Sequence, residues 1–310
     1  DEGWHEKGGA GDYKPVQIKR LPRTPESTTP EQRYWKQFKQ VSVSQAYSAV
    51  YSVTFCQSAP YDFAASNSAR IQIYNRQGKN VKRTISRFKD IVYCASFRSD
   101  GKLLVASGEE TDVKVFDLAS RDLLRLLRGH KRPVHTCKFS NDRVHVFSGG
   151  DDTVLKYWDV PSGENISTFE GHTDYVRSLV PSPSSSEVWI SGSYDHTVRL
   201  WDTRTGRDFM QLDHGQPVQA LAVLPGGGIV ISAGNGGYMK VWDILAGGRL
   251  IATVSNHQKA ITCLAVDGEG GRVLSGSLDH HVKIYDVVEY KVRPAVDFPQ
   301  PILSMDISPD

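Results

Sequence analysis

Val188-Trp189-Ile190-Ser191-Gly192-Ser193-Tyr194-Asp195-His196-Thr197-Val198-Arg199-Leu200-Trp201 carries most of what decides the fold of this 310-residue chain. Val188 to Ser191 is a short apolar run, and Gly192 to His196 supplies turn residues. Thr197 to Trp201 then alternates apolar and polar side chains. Run, turn and alternation together read as two antiparallel strands joined by a tight turn. Runs such as Asn165-Ile166-Ser167-Thr168-Phe169 read as further strands, and Gly171-His172 leads into the next unit.

Working outward, the same texture returns. An apolar residue, a small one two places on and a large apolar one five places on recur as Val50/Ser52/Phe55, Val92/Cys94/Phe97 and Val134/Thr136/Phe139. The series continues as Val176/Ser178 (with a lapse at Pro181), Val218/Ala220/Val223, Ile261/Cys263/Val266 and Ile302/Ser304/Ile307. A second series keeps step with it: Tyr74-Asn75, Phe116-Asp117, Trp158-Asp159, Trp201-Asp202, Trp242-Asp243 and Tyr285-Asp286. Four short strands in each period of about 40–45 residues are the signature of a propeller blade.

Gly129-His130, Gly171-His172 and the Trp-Asp pairs at 158, 201 and 242 resemble the WD-repeat family, over nearly the whole chain from about residue 40. The expected fold is therefore all-β, a seven-bladed WD-repeat β-propeller spanning 38–310. Its last blade is expected to be composite and incomplete, because only the first strand of the seventh unit has sequence to supply it. Lys39-Gln40-Val41-Ser42-Val43-Ser44 stands where an outer strand of that blade belongs. The rest of the blade is expected to lie beyond residue 310 or to be covered by a partner, since proteins avoid open strand edges. Residues 1–37 read as an extended N-terminal arm, with Pro15, Pro22, Pro25 and Pro30 and one aromatic cluster over 34–38.

His130, Ser148, Asp152 and Trp158 recur as His172, Ser191, Asp195 and Trp201, and again as His257, Ser275, Asp279 and Tyr285. Ser, His and Asp together suggest acyl transfer. A nucleophile is needed once, however, whereas this set repeats at fixed spacing in several blades. A structural hydrogen-bond network is the better reading, and no catalytic or metal site is expected. Gly236 replaces the Asp beside His214, and Phe88 and Phe298 stand in two His positions.

Composition narrows function mainly by what it excludes. The net charge is +2, the hydrophobic fraction is 39% and the charged fraction 23%, as in water-facing globular domains. No run of about 18 uncharged apolar residues exists to cross a membrane as a helix. Cys56, Cys94, Cys137 and Cys263 lie far apart without a Cys-x-x-Cys pair, against zinc ligation and for reduced thiols. Gly226-Gly227-Gly228 reads as a hairpin turn rather than a phosphate loop. No cofactor and no small-molecule substrate is expected.

Charge is uneven along the chain. Between Arg70 and Arg143 there are 17 Lys and Arg against 8 Asp and Glu, leaving 20 against 27 elsewhere. Lys79, Lys82, Arg83, Arg87, Lys89, Arg125, Arg128, Lys131 and Arg132 are candidate contacts for an acidic partner or for RNA phosphate. His135, Tyr175, Arg177 and Tyr194 are candidate contacts around the channel mouth, being aromatic or cationic and close to strand ends.

Several further segments narrow the resemblance: Tyr13-Lys14-Pro15-Val16, Ser86-Arg87-Phe88-Lys89-Asp90, Gly192 to Val198, His214-Gly215-Gln216-Pro217-Val218, Val241 to Leu245 and Tyr290-Lys291-Val292. Together they resemble the family of U-three small nucleolar RNA-associated protein fifteen. The resemblance implies a non-catalytic nucleolar scaffold of the small-subunit processome, in its transcription-linked UtpA subcomplex, with a C-terminal helical domain expected after the propeller. Its partners would be other WD-repeat and helical subunits and the 5′ leader of pre-rRNA, contacted through phosphates. The alternative reading is a peptide-recognition adaptor, either a ubiquitin-ligase substrate receptor or a chromatin reader.

Overall fold

Among the described residues, short apolar runs broken by Gly-, Asn- and Asp-bearing turns leave no window long enough for a helix. In the computed structural model, every regular element among the described residues is a strand. The structure describes residues 43–309 except Arg121, with the side chains of Arg293 and Pro294 left aside. Consecutive strands form six four-stranded antiparallel sheets. Blade 1 runs from Val50–Phe55 through Phe63–Asn67 and Arg70–Tyr74 to Val81–Ile85. Blades 2 to 6 begin at the inner strands Val92–Phe97, Val134–Phe139, Val176–Pro181, Val218–Val223 and Ile261–Val266. They end at the outer strands Leu123–Leu127, Asn165–Phe169, Arg207–Asp213, Arg249–Ser255 and Val292–Asp297. Each inner strand packs beside the next in order, which makes the array a propeller.

Burial grades outward along each sheet. The second strand of blade 2, Leu103–Gly108, is buried at every position, whereas the outer strand Arg207–Asp213 alternates exposed and covered residues. Large side chains fill the space between blades: Phe147 of blade 3 stacks on Trp189 of blade 4 with centroids 4.8 Å apart. Trp158, Trp189, Trp201 and Tyr285 are all fully buried. Burying side chains of this size contributes roughly 1.5–3 kcal/mol or more each. Glycines in the second strands let blades approach closely. A Cβ on Gly149, Gly192 or Gly276 would lie 2.9, 2.6 or 2.8 Å from Val176, Val218 or Ile302, each the first apolar residue of the next unit.

Antiparallel order sends the loops to opposite ends. At the mouth end, where the inner strands start, the turn between second and third strands bonds to the loop leading into the inner strand. Glu109 N donates to Ile91 O at 2.8 Å, Asp151 N to Pro133 O at 2.9 Å and Tyr194 N to Tyr175 O at 2.9 Å. At the far end the other two loop sets are tied together in the same way, by Leu118 N to Lys102 O at 2.9 Å and Val160 N to Val144 O at 3.1 Å.

The periodicity predicts seven blades, and the structure has six among the described residues. Residues 302–309 form no strand. A strand needs a neighbour to ladder with, and among the described residues no second strand pairs with this segment. Its side chains bond to blade 1 instead: Ser304 Oγ accepts from Val53 N at 2.9 Å and Asp306 Oδ2 from Phe55 N at 2.6 Å. On its other side Thr262 Oγ1 donates to Ile302 O at 2.6 Å, and Ile302 N to Ser277 O at 3.2 Å. The expected arm and most of the expected outer strand over 39–44 lie outside the described residues. Val43 and Ser44 are not in a strand, and Ser44 Oγ donates to Gly78 O at 3.0 Å.

Candidate partner-binding mouth

Every inner strand breaks its ladder one residue after it begins. Pairing with the second strand jumps from Val50 to Ser52, Val92 to Cys94, Val134 to Thr136, Val176 to Ser178, Val218 to Ala220 and Ile261 to Cys263. The skipped residues are Tyr51, Tyr93, His135, Arg177, Gln219 and Thr262. A bulge of this kind re-aims one side chain and strengthens the local twist.

Repeated around the ring, these bulges build a belt of touching side chains at the mouth. Tyr51 meets Tyr93 edge-on at 5.5 Å, and Tyr93 stacks on His135 at 4.2 Å. Arg177 Nη1 lies 2.6 Å from both ring nitrogens of His135, so the guanidinium rests against the imidazole. The same guanidinium sits 5.3 Å from the Tyr175 ring and 5.0 Å from the Tyr194 ring. Tyr194 hydroxyl accepts from Gln219, which also donates to Asn235 at 3.1 Å. The four mouth residues read from the sequence thus meet in one cluster. Tyr51, Tyr93, Gln219 and Asn235 join it without having been singled out there, although the first three share the register of His135 and Arg177, one place after the first apolar residue.

Burial and charge fix the protonation of this belt. Burial, reinforced by Arg177, pushes His135 down to about 3, so the imidazole is neutral at physiological pH. Burial raises the Asp151 carboxyl although Arg177 and Arg132 favour its charge; it stands 3.4 Å from Arg177 and 3.2 Å from His135. Tyr93 donates to Glu109 at 2.7 Å, and burial together with that carboxylate raises its hydroxyl. The permanent cation of the cluster is Arg177.

The nine basic residues read from the sequence are divided by the topology. Arg87, Lys89, Arg128, Lys131 and Arg132 lie on the mouth-end loops that lead into the inner strands of blades 2 and 3, and all five are exposed. Lys79 lies on a far-end loop, while Lys82, Arg83 and Arg125 lie along outer strands. Lys82 is paired with Asp62 at 2.6 Å, and Arg125 reaches across to Pro161 O at 2.7 Å on the next blade.

The repeated Ser, His and Asp sets sit beneath the same end. His130 bonds Asp152 at 2.8 Å and Ser148 at 2.7 Å, and Trp158 Nε1 donates to Ser148 at 2.8 Å. His172 bonds Asp195 and Ser191, each at 2.7 Å, with Trp201 donating to Ser191 at 2.7 Å. His257 bonds Asp279 at 2.9 Å and Ser275 at 2.6 Å, while the Tyr285 hydroxyl is only within 3.5 Å of that serine. Each Asp also accepts a backbone N–H from the residue after its His, at 3.0 to 3.1 Å, pinning the loop. The three serines are fully buried, with their oxygens already bonded to the neighbouring His. Burial opposes ionisation of Asp195, but the His172 and Thr197 hydrogen bonds outweigh it and hold the carboxyl well below its ordinary range. Asp279 is held down to about 2 against burial by Gln258 N and His257.

Blade 5 departs from this pattern, with Gly236 in place of the Asp. His214 there bonds Ser232 through Nδ1 at 2.8 Å, and Tyr238 stacks on its ring at 5.1 Å. Burial, with the charge of Lys240, brings His214 down to about 4. In blade 2 Phe88 takes the His position, packing on Phe116 at 5.7 Å and under Lys114 Nζ at 4.4 Å.

Comparison with known proteins agrees with this fold. The WD domain, G-beta repeat family matches residues 79–117, 121–159, 163–202, 208–243 and 248–286. The U3 small nucleolar RNA-associated protein 15 homolog of Xenopus laevis is 41% identical over 298 residues, 96% of this chain and 58% of the relative. The Homo sapiens homolog is 44% identical over 296 residues, 96% of this chain and 57% of the relative. U3 small nucleolar RNA-associated protein 15 of Schizosaccharomyces pombe is 43% identical, with 95% of this chain and 60% of the relative covered. The chain thus spans 57 to 60% of the length of these three relatives. By its five matched repeats and its six blades, this chain belongs to the WD-repeat family, with homologues named U3 small nucleolar RNA-associated protein 15.

Proposed function

We propose that this protein is a non-catalytic scaffold in ribosome biogenesis, acting in nucleolar pre-rRNA processing and small-subunit assembly. The observation that carries the reading is identity above 40%, running through about 96% of the chain, to proteins whose name ties them to U3 small nucleolar RNA. The architecture supports the scaffold part. The Ser, His and Asp sets are spent on holding loops, and the mouth end offers a rigid belt of aromatic and cationic side chains. The partners under this reading are other WD-repeat and helical subunits of the processome, in its UtpA subcomplex, and phosphates of the pre-rRNA 5′ leader.

The complete ring has seven inner strands under this proposal. Ile302 packs over Gly276 in the way Val218 packs over Gly192, and Ser304 bonds blade 1 in the register by which Ser52 meets Ala95 N at 3.3 Å. A peptide-recognition adaptor is the second reading, favoured by the Arg177 cluster at the mouth. Purification of the full-length protein from cells, followed by mass spectrometry and RNA sequencing, separates the two. Small-subunit processome proteins with U3 RNA and pre-rRNA are the expected result. A ubiquitin-ligase core or nucleosomes without them would contradict the proposal.

A further inference from the structure

The mouth end is electrically lopsided. The loops leading into the inner strands of blades 2 and 3 carry Arg87, Lys89, Arg128, Lys131 and Arg132 against Asp90 alone. The equivalent loop of blade 4 carries Glu170 and Asp174 and no Lys or Arg. Acids lie beneath the five cations, each set against a neighbour. Glu109 holds Tyr93, Glu110 holds Lys114 and Lys89 N, Asp112 faces Arg128 at 3.8 Å, Asp152 holds His130, and Asp151 stands 3.4 Å from Arg177 with Arg132 favouring its charge. The side chains of Arg87, Lys89, Lys131 and Arg132 make no hydrogen bond or ion pair among the described residues, and all four are exposed. At physiological salt, charge acts over about 8 Å, so a docked partner feels these projecting cations first.

Which partner they suit is decided by the neighbouring aromatics. Unstacked nucleic-acid bases require open ring faces. Here Tyr93 stacks on His135 and Arg177 lies between Tyr175 and Tyr194, so these ring faces are already taken, and Tyr51, which meets Tyr93 edge-on, is the exposed ring of the belt. What remains available is the row of exposed ammonium and guanidinium groups of Arg87, Lys89, Lys131 and Arg132 on the rim loops, while Arg177 at its inner end already faces Asp151. Guanidinium groups pair two-pronged with carboxylates.

We propose that this rim, across blades 2 and 3, receives an acidic, Asp- and Glu-rich peptide segment of a protein partner, laid over Lys89, Lys131 and Arg132 toward Arg177. The proposal rests on the scaffold reading above and names the chemistry of one of its contacts.

The test uses the full-length protein and a fluorescein-labelled twelve-residue peptide of alternating Asp and Glu, followed by fluorescence anisotropy, with a twelve-nucleotide uridine RNA as competitor. Saturable binding is expected, weakened at least tenfold by Lys131→Glu with Arg132→Glu. Lys131→Arg with Arg132→Lys, which keeps the charge, is expected to retain it. Lys79→Glu with Lys102→Glu at the far end is expected to change affinity less than twofold. No saturable binding, an equal loss with the far-end pair, or displacement by the RNA as effective as by unlabelled peptide would each overturn the proposal. The two readings fail separately: processome co-purification without peptide binding sinks this one alone, and peptide binding without co-purification sinks the assembly reading.

Discussion

At the residue scale, the buried His, Ser and Asp sets combine partners that would each be costly alone. A buried polar group left without a partner costs about 1–3 kcal/mol, and here every member bonds two others, including a backbone N–H. His172→Ala is therefore expected to lower unfolding free energy by about 1–3 kcal/mol in a denaturant titration, since Ser191 and Asp195 lose their shared partner. Blade 5 offers the reverse experiment. A Cβ on Gly236 runs into the Tyr238 ring, so Gly236→Asp alone is expected to destabilise. Combined with Tyr238→Thr it rebuilds the blade 4 arrangement of Asp195, Thr197 and His172, and the double variant is expected to recover the loss.

His135 gives a pH signature at the same scale. Its folded pKa, about 3, lies below the ordinary value near 6.5, so the folded state binds fewer protons. Its contribution is fully present above about pH 6.5 and is lost as pH falls toward the folded value. His135→Gln is expected to flatten the fall of Tm between pH 6.5 and 4 in part, leaving the parts due to His214 and His257, which burial also lowers.

At the element scale, the inner strands do two jobs. Their apolar starts pack on the glycines of the preceding blade, and the residue after each start bulges into the mouth. Gly192→Ala places a methyl group 2.6 Å from Val218 and is expected to cost about 1–3 kcal/mol. Gly268→Ala meets nothing within 4 Å and is expected to stay within about 0.5 kcal/mol in the same titration.

This is also where the sequence is most and least legible. The strand register could be read because the apolar–small–apolar series and the Trp-Asp series repeat in step, and the Ser, His and Asp sets because their spacing does. The bulges could not, since a skipped residue leaves no mark in an apolar pattern. Arg177 and His135 were legible by residue type and their place close to strand ends, whereas Tyr51, Tyr93 and Gln219 acquire meaning only once the bulge is seen. The basic residues form one run in sequence, yet antiparallel topology sends Lys79 to one end and Lys131 to the other.

At the scale of the whole molecule, six sheets stand side by side and residues 302–306 join the last to the first through Thr262, Ser304 and Asp306. Counting by period predicts seven, because Ile302, Ser304 and Ile307 continue the series; a strand, however, exists only where a neighbour shares its ladder. Replacing both Ser304 and Asp306 by Ala is expected to speed hydrogen exchange at the amides of Val53 and Phe55 at least tenfold, while the amides of Val134 to Phe139 stay protected.

The six blades thus have two unlike ends, of which the mouth end carries the aromatic belt and the projecting cations. Crosslinking mass spectrometry of the full-length protein in its purified assembly, with a lysine-reactive reagent, tests whether that end is the one that binds. Crosslinks to partner chains concentrated on Lys89 and Lys131 are the predicted result. Partner crosslinks confined to Lys79 and Lys102 at the far end, with the mouth-end lysines unreacted toward any partner, would contradict it.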